Sequence, residues 1–134
     1  MIYTLDDIIA LSQTIYGEAS SEPIVVQIGV AHIVLNRLKR PLRFGGSIFN
    51  VVHAPLQFSC FNKGDPNTAR ILKAEFGSIA YLQAIHVATG VLANLYPDPT
   101  EGSDHYFDNS IQKPSWANSM QFKIKLGSLS FYKE

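Results

Sequence analysis

The segment from Ile24 to Leu38 constrains the fold of this chain more than any other part of its sequence. Its aliphatic residues go most of the way round a helical wheel, a pattern typical of a helix buried at the centre of a domain. Four polar residues interrupt it, namely Gln27, His32, Asn36 and Arg37, so the segment is too polar to span a membrane. The sequence therefore predicts a globular domain built around this helix.

The rest of the chain predicts further helices, followed by strands. Predicted helix starts are the capping box of Thr4 and Asp7, then Ser21 for the buried helix, Ser47, Asp65-Pro66 and Ser78. The first, second and last of these helices are predicted to end near Ala19, Lys39 and Leu95, and the short helix after Ser47 is predicted to end before Pro55.

Beyond residue 95 the pattern changes from helical to alternating. His105–Asp108 is typical of a short strand, and Phe122 to Leu126 alternate apolar side chains with lysines before the turn at Gly127-Ser128. The prediction is an α+β fold, with about five helices followed by a small antiparallel sheet. No repeat or linker interrupts the chain, so residues 1–134 are predicted to form one domain.

Composition and charge exclude several classes of protein. Of the 134 residues, 46% are apolar, and 11 basic residues balance 11 acidic ones, which argues against disorder and against a nucleic-acid partner. The single cysteine, Cys60, excludes an intramolecular disulfide and a cysteine-only metal site. Without a signal-peptide pattern, we expect synthesis in the cytoplasm, no membrane insertion and a monomer.

Glu18 is the acidic residue best suited to catalysis. It follows Leu11 by seven residues and Ile15 by three, which places it beside the apolar stripe at the end of the first helix. A carboxyl group partly removed from water holds its proton more readily and can donate it to a leaving oxygen. The alternative is a structural carboxylate that bonds a nearby backbone group or Arg37.

Two polar segments are candidates to complete a site. The segment 98–106 carries the side chains of Asp98, Glu101, Asp104, His105 and Tyr106. The segment 57–62 alternates polar and aromatic side chains, and its polar members include Gln57, Ser59 and Asn62. Loops of this content often line binding sites, although a polar turn and a half-buried strand would show the same patterns.

The sequence predicts neither a metal nor a cofactor. The four histidines are scattered, and no His-Glu-x-x-His motif is present. Cys60 and His105 could form a thiol–imidazole pair, which leaves open an amidase or endopeptidase that cuts peptide stems.

Taken together and in this order, the segments resemble the SleB/CwlJ family of bacterial cell wall hydrolases. The resemblance covers nearly the whole chain and rests on Thr14–Ala19 with Glu22-Pro23, Val34–Arg37, Gln57–Cys60 with Asn62, Asp98–Thr100, Gly102, His105-Tyr106, Pro114 with Trp116-Ala117, and Gly127 with Phe131-Tyr132. Each motif is weak alone, and the ordered set is specific.

This resemblance implies a fold similar to lysozyme and to resuscitation-promoting factors. It also implies cleavage of peptidoglycan glycan strands between N-acetylmuramic acid and N-acetylglucosamine. The catalytic glutamate of the family corresponds to Glu18, and its groove positions correspond to Gln57, Ser59, Asn62, His105 and Tyr106. No binding repeat or export signal accompanies the domain, which favours a phage endolysin or tail-associated enzyme that reaches the cell wall through lysis machinery or a larger assembly.

The reaction expected from this resemblance is lytic transglycosylation. Glu18 would protonate the glycosidic oxygen and then accept the proton of the muramic C6 hydroxyl, which closes a 1,6-anhydro ring. Hydrolysis instead requires a second carboxylate roughly 5 to 9.5 Å away. Asp98, Glu101 and Asp104 are the candidates for that role. The non-enzymatic alternative is a module that binds peptidoglycan without cutting it.

Overall fold

The computed structural model describes residues 2–54, 58, 71 and 78–134. The helices are α1 (Leu5–Ala19), α2 (Ile24–Leu38), α3 (Pro41–Phe44), α4 (Ile48–His53) and α5 (Ile79–Leu92). The strands are β1 (His105–Asp108), β2 (Gln121–Leu126) and β3 (Leu129–Lys133), with a 3-10 turn at Ser115–Asn118 before β2. Helices precede a small antiparallel sheet, which confirms the predicted α+β fold.

The start of α1 is the predicted capping box. The Thr4 hydroxyl accepts a hydrogen bond from the Asp7 amide at 3.2 Å, and the Asp7 carboxylate accepts one from the Thr4 amide at 3.1 Å. Ser47 and Ser78 likewise cap α4 and α5, through bonds from the amides of Asn50 and Tyr81. These caps satisfy amides that the helices themselves leave unpaired.

Two predicted boundaries were wrong by a few residues. Ser21 does not cap α2, because Pro23 is the residue before the helix, in extended backbone conformation. The proline disfavours helix at the residue that precedes it, so α2 begins only at Ile24. The second wrong boundary is the end of α5, which was predicted near Leu95. The helix stops at Leu92, because Asn94 adopts a left-handed conformation (φ 61°) that terminates it. The predicted helix start at Asp65-Pro66 lies outside the described residues.

As predicted, α2 is the central element of the domain. It packs against α1, α3, α4 and α5, and Val26, Val30 and Val34 along it are fully buried. It also meets the sheet at Gly29, where a Cβ atom would lie 3.2 Å from the Phe131 ring on β3. No helix in the described part of the chain is long and apolar enough to cross a membrane.

The sheet has the strand order β1-β3-β2, with both pairs antiparallel. The strands β2 and β3 are joined by the predicted turn, in which Gly127 has a φ of 54°. Phe131 on β3 belongs to the main core, whereas Tyr132 packs with Phe107 and the half-buried Trp116 in a smaller cluster. The alternation along β3 therefore fills two separate cores, one on each face of the sheet.

Candidate active site

Glu18 is the penultimate residue of α1 and is half-buried. Residues three and four positions before it, Ile15 and Thr14, are completely buried, so Glu18 lies at the edge of the buried face of the helix. The helix dipole places partial negative charge at this end, and the last turn of α1 holds no basic residue. The partial burial of Glu18 disfavours the charged form of its carboxyl group.

Three helix ends meet where Glu18 lies. Tyr16 of α1 packs against Tyr81 in the first turn of α5, with ring centroids 5.5 Å apart. Gln27, near the start of α2, is hydrogen-bonded to Gln83 of α5 at 3.2 Å. The C-terminal end of α1 is therefore surrounded by the N-terminal ends of α2 and α5. Burial raises the pKa of Tyr81, so its phenol stays protonated at neutral pH.

The turn after Glu18 also contacts the sheet. The Glu22 amide donates to the Ala19 carbonyl at 3.0 Å, which closes the turn between α1 and α2. The Glu22 carboxylate packs over the β2–β3 turn, since a Cβ atom on Gly127 would lie 2.8 Å from its Oε2. Helices and hairpin thus both border this end of the molecule.

Asp98 holds the loop after α5 to the last turn of α2. Its two carboxylate oxygens accept four hydrogen bonds, from Asn36 Nδ2 (2.9 Å), Thr100 N (2.7 Å), Thr100 Oγ1 (2.6 Å) and Gly102 N (3.1 Å). Burial alone would raise the pKa of Asp98, but these hydrogen bonds and the neighbouring His32 outweigh it and hold that pKa below its ordinary value. The carboxylate has a structural role in this loop.

Asp104 is bound as closely as Asp98. One oxygen accepts from His105 Nδ1 and from the Glu134 amide, each at 2.9 Å, while the other lies 3.5 Å from Arg40. Burial opposes ionisation of Asp104, but the bonds from His105 and Glu134, with the charges of His105 and Arg40, hold its pKa below the ordinary value. The same contacts orient the His105 ring, whose other neighbours are Phe44 and Trp116.

Arg37 completes the polar group at this end of α2. Its Nε donates to the Asp104 carbonyl at 2.8 Å, and its guanidinium carbon lies 5.2 Å from the ring centre of Phe44 and 4.8 Å from that of Phe58. Burial lowers the pKa of Arg37, against the raising effect of Tyr106 and Asp104. Arg37 thus connects the residue before β1, Phe44 of α3 and Phe58 to the C-terminal end of α2.

Glu18 lies beside the start of α2, whereas Asp98 and Asp104 are bonded to residues in its last turn. From Ile24, beside the turn that follows Glu18, the helix rises about 18 Å to Asn36, to which Asp98 is bonded. Asp104 is bonded one residue further on, through Arg37. Glu101 is exposed, with a φ of 57°.

The structure thus groups the predicted site residues into two sets. Glu18 lies at one end of α2, and Asp98, Asp104 and His105 lie at the other, where Tyr106 of β1 packs against Phe131. Three predicted groove residues, Gln57, Ser59 and Asn62, lie outside the described residues, as does Cys60.

Sequence reasoning missed Gln27 as part of the site. Gln27 was noted only as an interruption of an apolar segment, yet it is 1% exposed and hydrogen-bonded beside the turn that follows Glu18. A buried amide in a helix of aliphatic residues was the signal that could have identified it.

The family model described as Cell Wall Hydrolase matches residues 21–132 of this chain. The match begins just after α1, so Glu18 lies outside it and its role rests on its position and on the motif around it. Two curated relatives are both named as spore cortex-lytic enzymes. The one from Halalkalibacterium halodurans is 31% identical over 114 residues, and the one from Bacillus subtilis is 32% identical over 118 residues.

These matches cover 85% of this chain but only 31% and 33% of the two relatives, so the chain spans about a third of their length. Two solved structures share its fold. The catalytic domain of the germination-specific lytic transglycosylase SleB from Bacillus anthracis matches with a TM-score of 0.75 and 24% identity, over 98% of this chain and 97% of that one. The SleB catalytic domain from Bacillus cereus gives 0.74 and 23%, over 98% and 93%.

Proposed function

The chain belongs to the cell wall hydrolase family, and from this premise we propose that it is a lytic transglycosylase that cleaves the glycan strands of peptidoglycan. Curated relatives named as spore cortex-lytic enzymes support a cell wall substrate. The solved SleB domain, itself described as a lytic transglycosylase, supports the reaction class. The site of action that follows from this substrate is the bacterial cell wall.

The observation that carries the proposal is the placement of Glu18. A half-buried carboxyl in the last turn of α1 is partly removed from water, which favours the protonated form that can act as a general acid. In the proposed reaction this acid protonates the glycosidic oxygen as the bond from C1 of muramic acid breaks. The resulting carboxylate then removes the proton of the muramic C6 hydroxyl, whose oxygen bonds to C1. The acid is regenerated and a 1,6-anhydro sugar leaves.

The placement of Asp98 and Asp104 supports this route over a hydrolysis that uses either of them as its second carboxylate. The second carboxylate of a glycosidase has to lie within roughly 10 Å of the first, at the cleaved bond. Asp98 and Asp104 are hydrogen-bonded to the opposite end of α2 and already have structural partners. Transglycosylation needs no second carboxylate, because the nucleophile is a hydroxyl group of the substrate itself.

The proposal assigns the sugars to a groove that extends away from Glu18. Gln57, Ser59, Asn62, His105 and Tyr106 are the residues that we propose to bind them. His105 has a ring oriented by Asp104, and its remaining nitrogen, Nε2, is suited to a hydrogen bond with a hydroxyl group. These assignments rest on the family resemblance, and the activity does not depend on each of them.

The experiment that tests the proposal is mass spectrometry of fragments released from purified peptidoglycan. The wild-type protein should release anhydromuramyl products, and Glu18→Gln should reduce their release at least about a hundredfold, because the amide cannot supply the proton. Asp6→Asn is the matched control, since Asp6 is an exposed acid in the first turn of the same helix. It should retain wild-type activity.

Each other outcome contradicts a defined part of the proposal. Reducing muramyl ends in place of anhydro products would establish hydrolysis and require a second carboxylate. Full activity in Glu18→Gln, with loss in Cys60→Ser, would favour an amidase or endopeptidase. Binding to peptidoglycan with no fragment released would indicate a module that only binds.

A further inference from the structure

Gln27 is a buried amide in the central helix α2. Val26 directly before it and Val30 three residues after it are also fully buried. Its side-chain nitrogen donates two hydrogen bonds, to the Glu22 carbonyl at 3.2 Å and to Gln83 Oε1 at 3.2 Å. One amide therefore connects three parts of the fold, which are the turn after α1, helix α2 and helix α5.

The other half of this amide, its oxygen, has no hydrogen-bond donor in the part of the chain that the structure describes. This atom, Gln27 Oε1, is buried. Rotating the amide by 180° does not help, because the oxygen would then face two other acceptors, the Glu22 carbonyl and Gln83 Oε1. A buried carbonyl without a donor costs free energy that an apolar side chain of similar shape would avoid. Stability alone therefore does not account for a glutamine at this position.

The bonds of Gln27 hold the segment that determines where Glu18 lies. The turn is closed on one side by the bond from the Glu22 amide to the Ala19 carbonyl, and on the other by the bond from Gln27 to the Glu22 carbonyl. Ala19 directly follows Glu18 in the chain. Through Gln83, the same amide sets the distance from this turn to α5, the helix that carries Tyr81.

We propose that Gln27 is a positioning residue for Glu18. It fixes the α1–α2 turn against α5, so that the Glu18 carboxyl stays in line with the bond to be cleaved. The inference rests on the proposed function of Glu18 and deepens it. It predicts an effect on turnover without an effect on substrate binding, because Gln27 is buried and does not contact the sugar.

The test is Gln27→Met, assayed by initial rates of anhydromuramyl release over a range of peptidoglycan concentrations. Methionine is unbranched and of similar length, so it retains the packing and removes both hydrogen bonds. We expect kcat to fall between about 10-fold and 100-fold, with KM unchanged, since small displacements of a reacting group cost rates of this order. The melting temperature should stay close to that of the wild type, because the variant also removes the unpaired oxygen.

Gln83→Met gives a second, independent measurement. Gln83 is half-buried, and its loss removes only one of the two bonds of Gln27, so kcat should fall by a smaller factor in the same direction. Ser12→Ala is the matched control, because Ser12 is 1% exposed on α1 and its hydroxyl donates to the Ile8 carbonyl of its own helix. It should leave both kcat and KM unchanged.

The outcomes separate this inference from the proposed function. Unchanged kcat in Gln27→Met and Gln83→Met, with activity lost in Glu18→Gln, would overturn the positioning role alone. A rise in KM at constant kcat would also overturn it, since that change indicates a binding role. A wild-type protein that releases no fragments would overturn the proposed function and this inference with it. If Gln27→Met does not fold, the kcat of Gln83→Met decides.

Discussion

Asp98 illustrates how a single charged residue can organise a loop of this domain. Its carboxylate is an acceptor for four donors and has no proton to give. In Asp98→Asn one oxygen becomes an NH2 group, which faces donors and repels them. We expect the free energy of unfolding to fall by about 3 kcal/mol, the upper range for hydrogen bonds to a charged group. Urea denaturation measures this change.

Glu101→Gln is the control for the Asp98 variant. Glu101 lies in the same loop and loses the same charge, but it is exposed, so its substitution should change stability by less than about 0.5 kcal/mol. Equal losses in the two variants would show that the charge of the loop matters and that the hydrogen bonds do not.

For single residues, the sequence predicted where a side chain lies on its helix better than it predicted which residues that side chain bonds. The position of Glu18 beside the buried stripe followed from a spacing of three and seven residues, which helix geometry alone determines. The partners on α2 and just after it that tie Asp98 and Asp104 to the rest of the fold, Asn36 and Arg40, are more than 60 residues away along the chain. No local pattern identifies such a pair, and as a result both acids were candidates for catalysis.

At the scale of elements, the capping box is the local signal that specifies the start of α1, the helix that carries Glu18. Thr4→Ala removes the hydroxyl that accepts from the Asp7 amide. We expect this variant to lose about 1 kcal/mol of unfolding free energy, the typical value for an N-cap, with unchanged activity below its melting temperature. Thr4→Ser retains the hydroxyl and should keep most of the stability. An equal loss in both variants would attribute the effect to the methyl group of threonine.

Element boundaries were predictable where a local contact determines them. The caps at Thr4, Ser47 and Ser78 each bond an amide three residues further on, and all three were correct. The prediction failed at Ser21, where the backbone restriction of Pro23 prevailed over a good capping residue. The packing of α2 and α5 at the end of α1 depends on tertiary contacts, and periodicity carries no information on them.

At the scale of the whole molecule, α2 lies between the proposed catalytic residue Glu18 and the two carboxylates that hold the loop after α5. Glu18, Gln27 and Gln83 lie near the start of α2, where the C-terminal end of α1 meets the N-terminal ends of α2 and α5. The half-buried Asp98 and the buried Asp104 lie at its far end, where they join the loop, the sheet and the chain terminus to α2. Protonation of these two carboxylates at low pH should therefore reduce the stability of the domain.

Stability should decrease as the pH falls below about 4. The pKa values of Asp98 and Asp104 in the folded protein lie below their ordinary value of 3.8, so the unfolded chain takes up protons first. Their contribution is complete above that value and is lost as the pH falls through the folded pKa values. Urea denaturation measures this dependence when it is repeated at pH values about one unit apart between pH 2 and pH 7. It should be flatter in Asp98→Asn, which has one titrating carboxylate fewer; an identical slope in both proteins would contradict the assignment.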